Sequence, residues 1–408
     1  MKFPPAPARS STAIHGWKWP MTYALIIVTV VKIVLAAILG GTADIRQTYS
    51  QAQAFLSGMD IYDQISTGGP AFFPIGHYLL ASASLLASNL LGLPFAFIIK
   101  VPSILADLLI AFLLRSLSNG GNHAALLYML SPVIFIISVK HGQLHTVAVL
   151  FAVLCLWLAD RKRFDLAVLA LTISASVRQH WAILIIPLAA KHGKKGLMLI
   201  VAFSGLFLLI NTPLVFNSNS PGNIFQPTWT YGSWGYSVIL IQGSRVLNLF
   251  SISGNMPIVD SLNDILMTHG SMIYWVWSII FSILVWLHRD VDLWDLALLF
   301  ILGIYILSPG FGVQWLVWLV PFLMVYNQRS AIYYSIAAAV FVGAQYWWQW
   351  GLNAKYGVSS ITQNLSLLTI NDLIGLVLVG ALGVLIWAYL VKIAYGLIHN
   401  IVQYESRS

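Results

Sequence analysis

The stretch "GTADIRQTYSQ", residues 41–51, follows directly on the apolar run Met21 to Gly40 and places Asp44 where a membrane helix ends. A carboxylate fixed at such a surface is a candidate proton acceptor. Three further polar groups fall at the ends of other apolar runs: Lys140-His-Gly-Gln-Leu-His145, the pair Arg178 and His180, and "SPGFGVQWLVWLVP" from Ser308 to Pro321. Charges at a membrane edge usually face a cavity, because exposing them to lipid is costly. One candidate base with several cations suits transfer chemistry on a phosphorylated lipid.

The same residues admit quieter roles. Asp44 followed by Gln47 has the spacing of a helix N-cap with a capping box, and a cap and a base can coexist in one side chain. His141 and His145, four apart, would share a helix face and could ligate a metal, although no acidic partner lies near them in sequence. Lys32 and Asp107, deep in apolar runs, read most simply as a structural ion pair. Arg178 sits at a break between two short apolar segments and reads as a phosphate ligand or an interfacial anchor. The Trp and Tyr clusters, among them Trp229, Tyr231, Trp234 and Tyr236, suit belts at the polar–apolar boundary, with platforms for a sugar as the alternative.

Composition sets the frame for these groups. Of 408 residues, 59% are hydrophobic and only 8% charged, with a mean hydropathy of +0.83, more apolar surface than a soluble domain can cover. The expected class is all-α, a polytopic membrane protein of about twelve transmembrane helices. The spans fall at roughly 20–41, 98–117, 122–139, 143–159, 164–176, 178–190, 196–211, 271–287, 292–308, 313–326, 329–347 and 371–395. Residues 1–19 and 396–408 are expected as cytoplasmic tails around one membrane domain, 20–395. Segments 42–97 and 211–270 are expected as external loops. The first holds an amphipathic helix from Asp44 to Leu56 and an interfacial apolar piece from Phe72 to Leu93. Two spans, 164–176 and 178–190, are too short to cross alone and should meet as a broken pair at residues 176–180, beside a polar cavity.

The net charge of +8 does not point to nucleic acid, because the basic residues cluster between apolar runs as topology signals do. With the N-terminus inside, only Arg46, Lys100, Lys140, Arg178, Arg245 and Lys355 lie outside, against fourteen inside and Lys32 within a span. Asp44, Asp60 and Asp63 share the outer face. The single cysteine, Cys155, cannot form an intrachain disulfide.

In order and position, "GTADIRQTYSQAQAFLSGMDIYD", "FFPIGHYLLA", "KVPSILADLL", "SPVIFIISVKHGQLH", "SASVRQHWAILIIPLA" and "SPGFGVQWLVWLVPF" resemble the GT-C superfamily of membrane glycosyltransferases, over most of residues 20–326. The resemblance implies a GT-C fold and an inverting transferase moving a sugar from a polyprenyl- or dolichyl-phosphate donor to an acceptor hydroxyl on a lipid-linked or other glycan. The site would lie on the periplasmic or luminal face of a bacterial inner membrane or endoplasmic reticulum. Asp44 occupies the position of the family's catalytic carboxylate. Arg178, Lys140 and Arg46 would meet the donor phosphate, and His141, Gln143, His145, His180, His77 and Gln314 would line the substrate. Relatives often carry an acid where this chain has His145, which favours Asp44 acting alone. No cofactor is expected, a divalent cation being left open. The competing expectation is a transporter or flippase for a polyprenyl-linked sugar, which would show two related halves and a midplane site.

Overall fold

The computed structural model describes residues 19–62, 73–117, 121–217, 234–238, 257–356 and 369–405. Among them every regular element is a helix. A helix or helix pair stands at each of the twelve expected spans. By length and composition, four segments suffice to cross a membrane: Pro20–Ile38, Phe95–Leu117, Gln179–Leu214 and Ile374–Val402. A fifth arises if a bent pair is counted as one span. Asp63, Trp229, Tyr231, Arg245 and the turn at 66–70 lie outside the described residues.

The first unit is α1 (Trp19–Ile38), followed by α2 (Ala43–Leu56), α3 (Ile75–Leu91) and α4 (Val101–Leu117). Helix α1 packs along α4, and α2 packs across α3. Lys32 on α1 meets Asp107 on α4 at 2.9 Å, with both side chains fully buried. Tyr128 also donates to Asp107. The structural reading of that pair therefore holds.

The run expected as one span at 122–139 is bent. Helix α5 (Gly121–Met129) turns by 46° into the short helix Pro132–Phe135 and a wide π turn, Ile136–His141. Gly142 then stops the turn with a left-handed φ of 74°. Beyond it lie α6 (His145–Asp160) and α7 (Phe164–Val177), which pack closely together. The break expected near residue 178 is present: Arg178 is extended, and the 3-10 turn Gln179–Leu184 leads into α8 (Ile185–His192) and α9 (Gly196–Asn217).

The C-terminal half comprises α10 (Pro257–Leu287), α11 (Leu293–Leu307), α12 (Leu319–Tyr326), α13 (Gln328–Tyr356) and α14 (Ile370–Glu405). A 3-10 turn, Val313–Val317, precedes α12, so the span expected at 313–326 is also broken. Two boundaries differ from expectation. Helix α14 runs on to Glu405, making most of the expected tail 396–408 helical, and helices reach into the expected loop 211–270 from both ends. Trp234 is a further correction: it is 2% exposed, packs on Phe311, and donates to the carbonyl of Tyr305, so it is an internal wedge rather than a belt residue.

Removing one member of a buried ion pair strands the other's charge, at a cost of about 3–5 kcal/mol, whereas replacing both with apolar residues is often neutral. Asp107→Ala should therefore lower the thermal unfolding temperature in detergent sharply, and Lys32→Met combined with Asp107→Leu should recover most of the loss.

Candidate functional site

Four breaks in the helical backbone bring the candidate residues together. At the first, α1 ends and α2 begins. Lys100 Nζ reaches the carbonyls of Ala36, Leu39 and Gly40, so a cation closes the C-terminal end of α1. Thr42 is the N-cap of α2: its hydroxyl accepts from Ile45 N at 3.4 Å and donates to the carbonyl of His141 at 3.2 Å. The capping role expected of Asp44 is thereby overturned. Asp44 lies inside the first turn, where the helix dipole favours a negative charge and its carboxylate is free to point elsewhere.

It points at the second break. Asp44 Oδ2 accepts from Gln143 Nε2 at 2.8 Å and lies 2.9 Å from His141 Nε2. Burial opposes ionisation of Asp44, but contact with His141 and the charge of that ring outweigh it and hold the carboxyl below its ordinary value of 3.8. The Asp44 side chain keeps 32% of its surface exposed, enough for a substrate to reach it. His141 stacks on Tyr346 of α13, whose hydroxyl meets His141 Nδ1.

His141 and His145 do not share a helix face, as their spacing suggested. The left-handed turn at Gly142 separates them and sends them to different partners. Gly142 is required there twice over, since a Cβ would stand 2.7 Å from Ile45 Cδ1 and 2.9 Å from Lys100 Cγ. His145 is fully buried, donates from Nε2 to Gln143 Oε1 at 2.8 Å, and receives the Trp318 Nε1 hydrogen on Nδ1 at 3.1 Å. Gln314 Nε2 approaches the same Gln143 Oε1 at 3.4 Å. Ser103 holds the backbone of Gln143 by donating to its carbonyl at 2.8 Å.

The third break carries Arg178, which is 1% exposed. Its Nη1 donates to His77 Nδ1 at 3.0 Å and to the carbonyl of Val177 at 2.8 Å, and its Nε lies 3.4 Å from the His145 ring nitrogens. The guanidinium lies 3.9 Å over the Phe73 ring. Nη2 has no partner, and among the described residues no carboxylate contacts this arginine. Gly76 makes the meeting possible, because a Cβ there would come within 2.6 Å of the Ser176 carbonyl and hold α3 off the end of α7.

The tautomer of His77 follows from its neighbour. Arginine only donates, so His77 Nδ1 accepts and its proton is on Nε2. That buried N–H also lacks a partner. Burial, reinforced by the charge of Arg178, holds His77 well below the ordinary imidazole range and keeps it neutral.

Other expected members lie apart. Arg46 is exposed on α2, two residues and about 200° round from Asp44. Lys140 is half-buried and close enough to Lys100 for their charges to repel. His180 sits in an aromatic group with Trp315 at 4.5 Å and Trp318 at 5.2 Å. Asp60 accepts from the Tyr62 backbone within its own turn. Among the described residues no three His, Cys, Asp or Glu side chains form a metal-binding group. An apolar recess of about 390 Å³ between α8, α9 and α10 shares no residue with the cluster. Sequence reading did not single out Tyr346 or Thr42. Tyr346 is 205 residues from His141 and inside an aromatic run, and Thr42 was hidden by the better capping-box spacing of Asp44.

No protein-family profile and no curated protein matches the chain. Among solved structures the chain is similar to the crystal structure of ArnT from Cupriavidus metallidurans in the apo state, at 13% identity and a TM-score of 0.43, over 94% of this chain and 76% of that one. A likeness that loose does not establish a shared fold.

A carboxyl whose folded value lies below its unfolded one contributes stability above the unfolded value and loses it as pH falls through the folded value. The melting difference between the wild type and Asp44→Asn should therefore be constant around neutrality and shrink only in acid below about 3.8. A difference that changes between pH 5 and 7 would show that another group sets it.

Proposed function

We propose that this chain is a GT-C-type membrane glycosyltransferase moving a sugar from a polyprenyl-phosphate donor to an acceptor hydroxyl on the outer face of its membrane. The observation that carries this reading is the joining of an accessible carboxylate to a buried, acid-free guanidinium through only two side chains. Asp44 bonds Gln143, Gln143 bonds His145, and His145 meets Arg178. A buried cation with an unused donor and no counter-ion is costly. An anion with several acceptor oxygens supplies what it lacks, and phosphate matches the planar fork of arginine.

In this reading the acceptor oxygen attacks the anomeric carbon while its proton passes to Asp44. The bond from that carbon to the phosphate oxygen breaks, and the electron pair leaves with the lipid phosphate. Arg178 Nη2 and His77 Nε2, adjacent donors without hydrogen-bond partners, meet the developing charge, with Lys140 adding field from the neighbouring turn. One displacement inverts the anomeric centre. A base held below 3.8 stays ionised at neutral pH and takes the proton only as the new bond forms. His141 and Gln143 border the carboxylate, Gln314 adjoins Gln143, and these three would contact the sugar or acceptor, whereas His145 and His180 stand behind them. Arg46, on the other side of α2, has no part in this arrangement.

The test uses the purified protein with a radiolabelled polyprenyl-phosphate sugar and a glycan acceptor. Acceptor-dependent release of polyprenyl phosphate is the expected result; movement of intact donor across a vesicle would instead mark a transporter. Asp44→Asn should keep its fold and donor binding and lose about 10²–10⁴ in turnover. Wild-type turnover in that variant would end the proposal.

The cation is tested separately. Arg178→Lys keeps a charge but loses the fork, so donor use should recover only part of what Arg178→Ala loses. Equal donor kinetics in folded Ala and wild-type proteins would remove Arg178 from the phosphate.

A further inference from the structure

Trp318, at the fourth break, is fully buried and stacks on Trp315 at 4.5 Å. Its indole nitrogen, however, is a donor with no acceptor capacity, and it is aimed at His145 Nδ1 at 3.1 Å. His145 Nδ1 must then carry a lone pair, so the ring is neutral with its proton on Nε2.

The orientation propagates. His145 Nε2–H donates to Gln143, which presents Oε1 to receive it at 2.8 Å. Gln314 donates to the same oxygen. With its oxygen fixed on that side, Gln143 turns its NH₂ toward Asp44 Oδ2, again at 2.8 Å. Each member has one choice left once the indole is placed.

We infer that Trp318 and His145 are positioning residues which, through the amide of Gln143, orient the carboxylate of Asp44. The inference rests on the reading of Asp44 as the base, but the geometry it predicts does not need turnover to be seen. Were the indole donor lost, His145 could move its proton to Nδ1. Gln143 would then flip, donate to His145 Nε2, and bring Oε1 against Asp44, an arrangement that favours the protonated acid. Other groups facing the two ends are unchanged by that flip: His141 and Tyr346 face Asp44, while Arg178, His141, His77 and His180 face His145.

The first measurement is the ¹⁵N spectrum of histidine-labelled wild-type protein in detergent, with the His145 signals assigned by substitution. A neutral ring protonated on Nε2 is expected; an Nδ1–H tautomer or an imidazolium overturns the inference without any variant. The second is the infrared titration of the Asp44 carboxylate, assigned by difference against Asp44→Asn. Gln143→Met, which removes the amide donor, should move that titration upward. Trp318→Phe should move it the same way and lower kcat about 10-fold with donor KM unchanged. If Gln143→Met shifts the carboxylate and a folded Trp318→Phe does not, orientation stops at Gln143 and the inference falls. Full turnover in Asp44→Asn would instead defeat the enzyme reading while leaving the tautomer and titration results standing.

Discussion

A helix leaves its last carbonyl oxygens without partners, and the way this chain satisfies those of α1 sets the position of Asp44. Lys100, arriving from the start of α4, spends all of its hydrogen bonds on Ala36, Leu39 and Gly40. It is therefore unavailable as a phosphate ligand, although it is a cation on the expected outer face. The same lysine packs its stem against Gly142, so the end of α1 and the turn carrying His141 are fixed against each other. Thr42 completes the junction by capping α2 and holding the His141 carbonyl. With both ends satisfied by other groups, Asp44 is not consumed by the backbone.

The second constraint is the burial of Arg178. Its partners among the described residues are the imidazoles of His77 and His145, a backbone carbonyl and an aromatic face, none of which carries the opposite charge. Such surroundings hold a guanidinium in place but do not neutralise it. The contrast with Lys32 is instructive, because there an equally buried cation meets a carboxylate at 2.9 Å, which Tyr128 also bonds, and the charge is neutralised within the fold. Two buried cations in one chain thus have opposite character. One fastens α1 to α4, and the other keeps Nη2 without a hydrogen-bond partner.

Much of this architecture was legible in the sequence, because hydrophobic run length and basic flanks are local signals. The helices at every expected span, the amphipathic α2, the break at Arg178 and the buried Lys32–Asp107 pair all followed from such patterns. The choice between Thr42 and Asp44 as cap did not, since both residue types suit that position and spacing favoured the wrong one. Nor did the fates of His141 and His145. Their four-residue spacing implies a shared face only if the helix continues, and Gly142 ends it. Tyr346 and Trp318 lay beyond sequence reasoning for a different reason. Aromatic residues in an apolar chain are abundant, and only packing shows which of their polar atoms meets an imidazole.

The convergence of the site on helix breaks has a common physical cause. A continuous helix satisfies its own backbone and presents mainly side chains to its neighbours, whereas each interruption releases N–H and C=O groups that need partners in an apolar surrounding. At Thr42, Gly142, Arg178 and Trp318 those groups draw polar side chains inward: Ser103 to the Gln143 carbonyl, Thr42 to that of His141, and Arg178 to that of Val177. The polar atoms needed to satisfy the breaks are thus gathered in one place before any substrate arrives. A reaction that needs both a carboxylate and a cation inside a membrane domain can use that gathering, since the desolvation of its charged groups is already offset by contacts the fold requires.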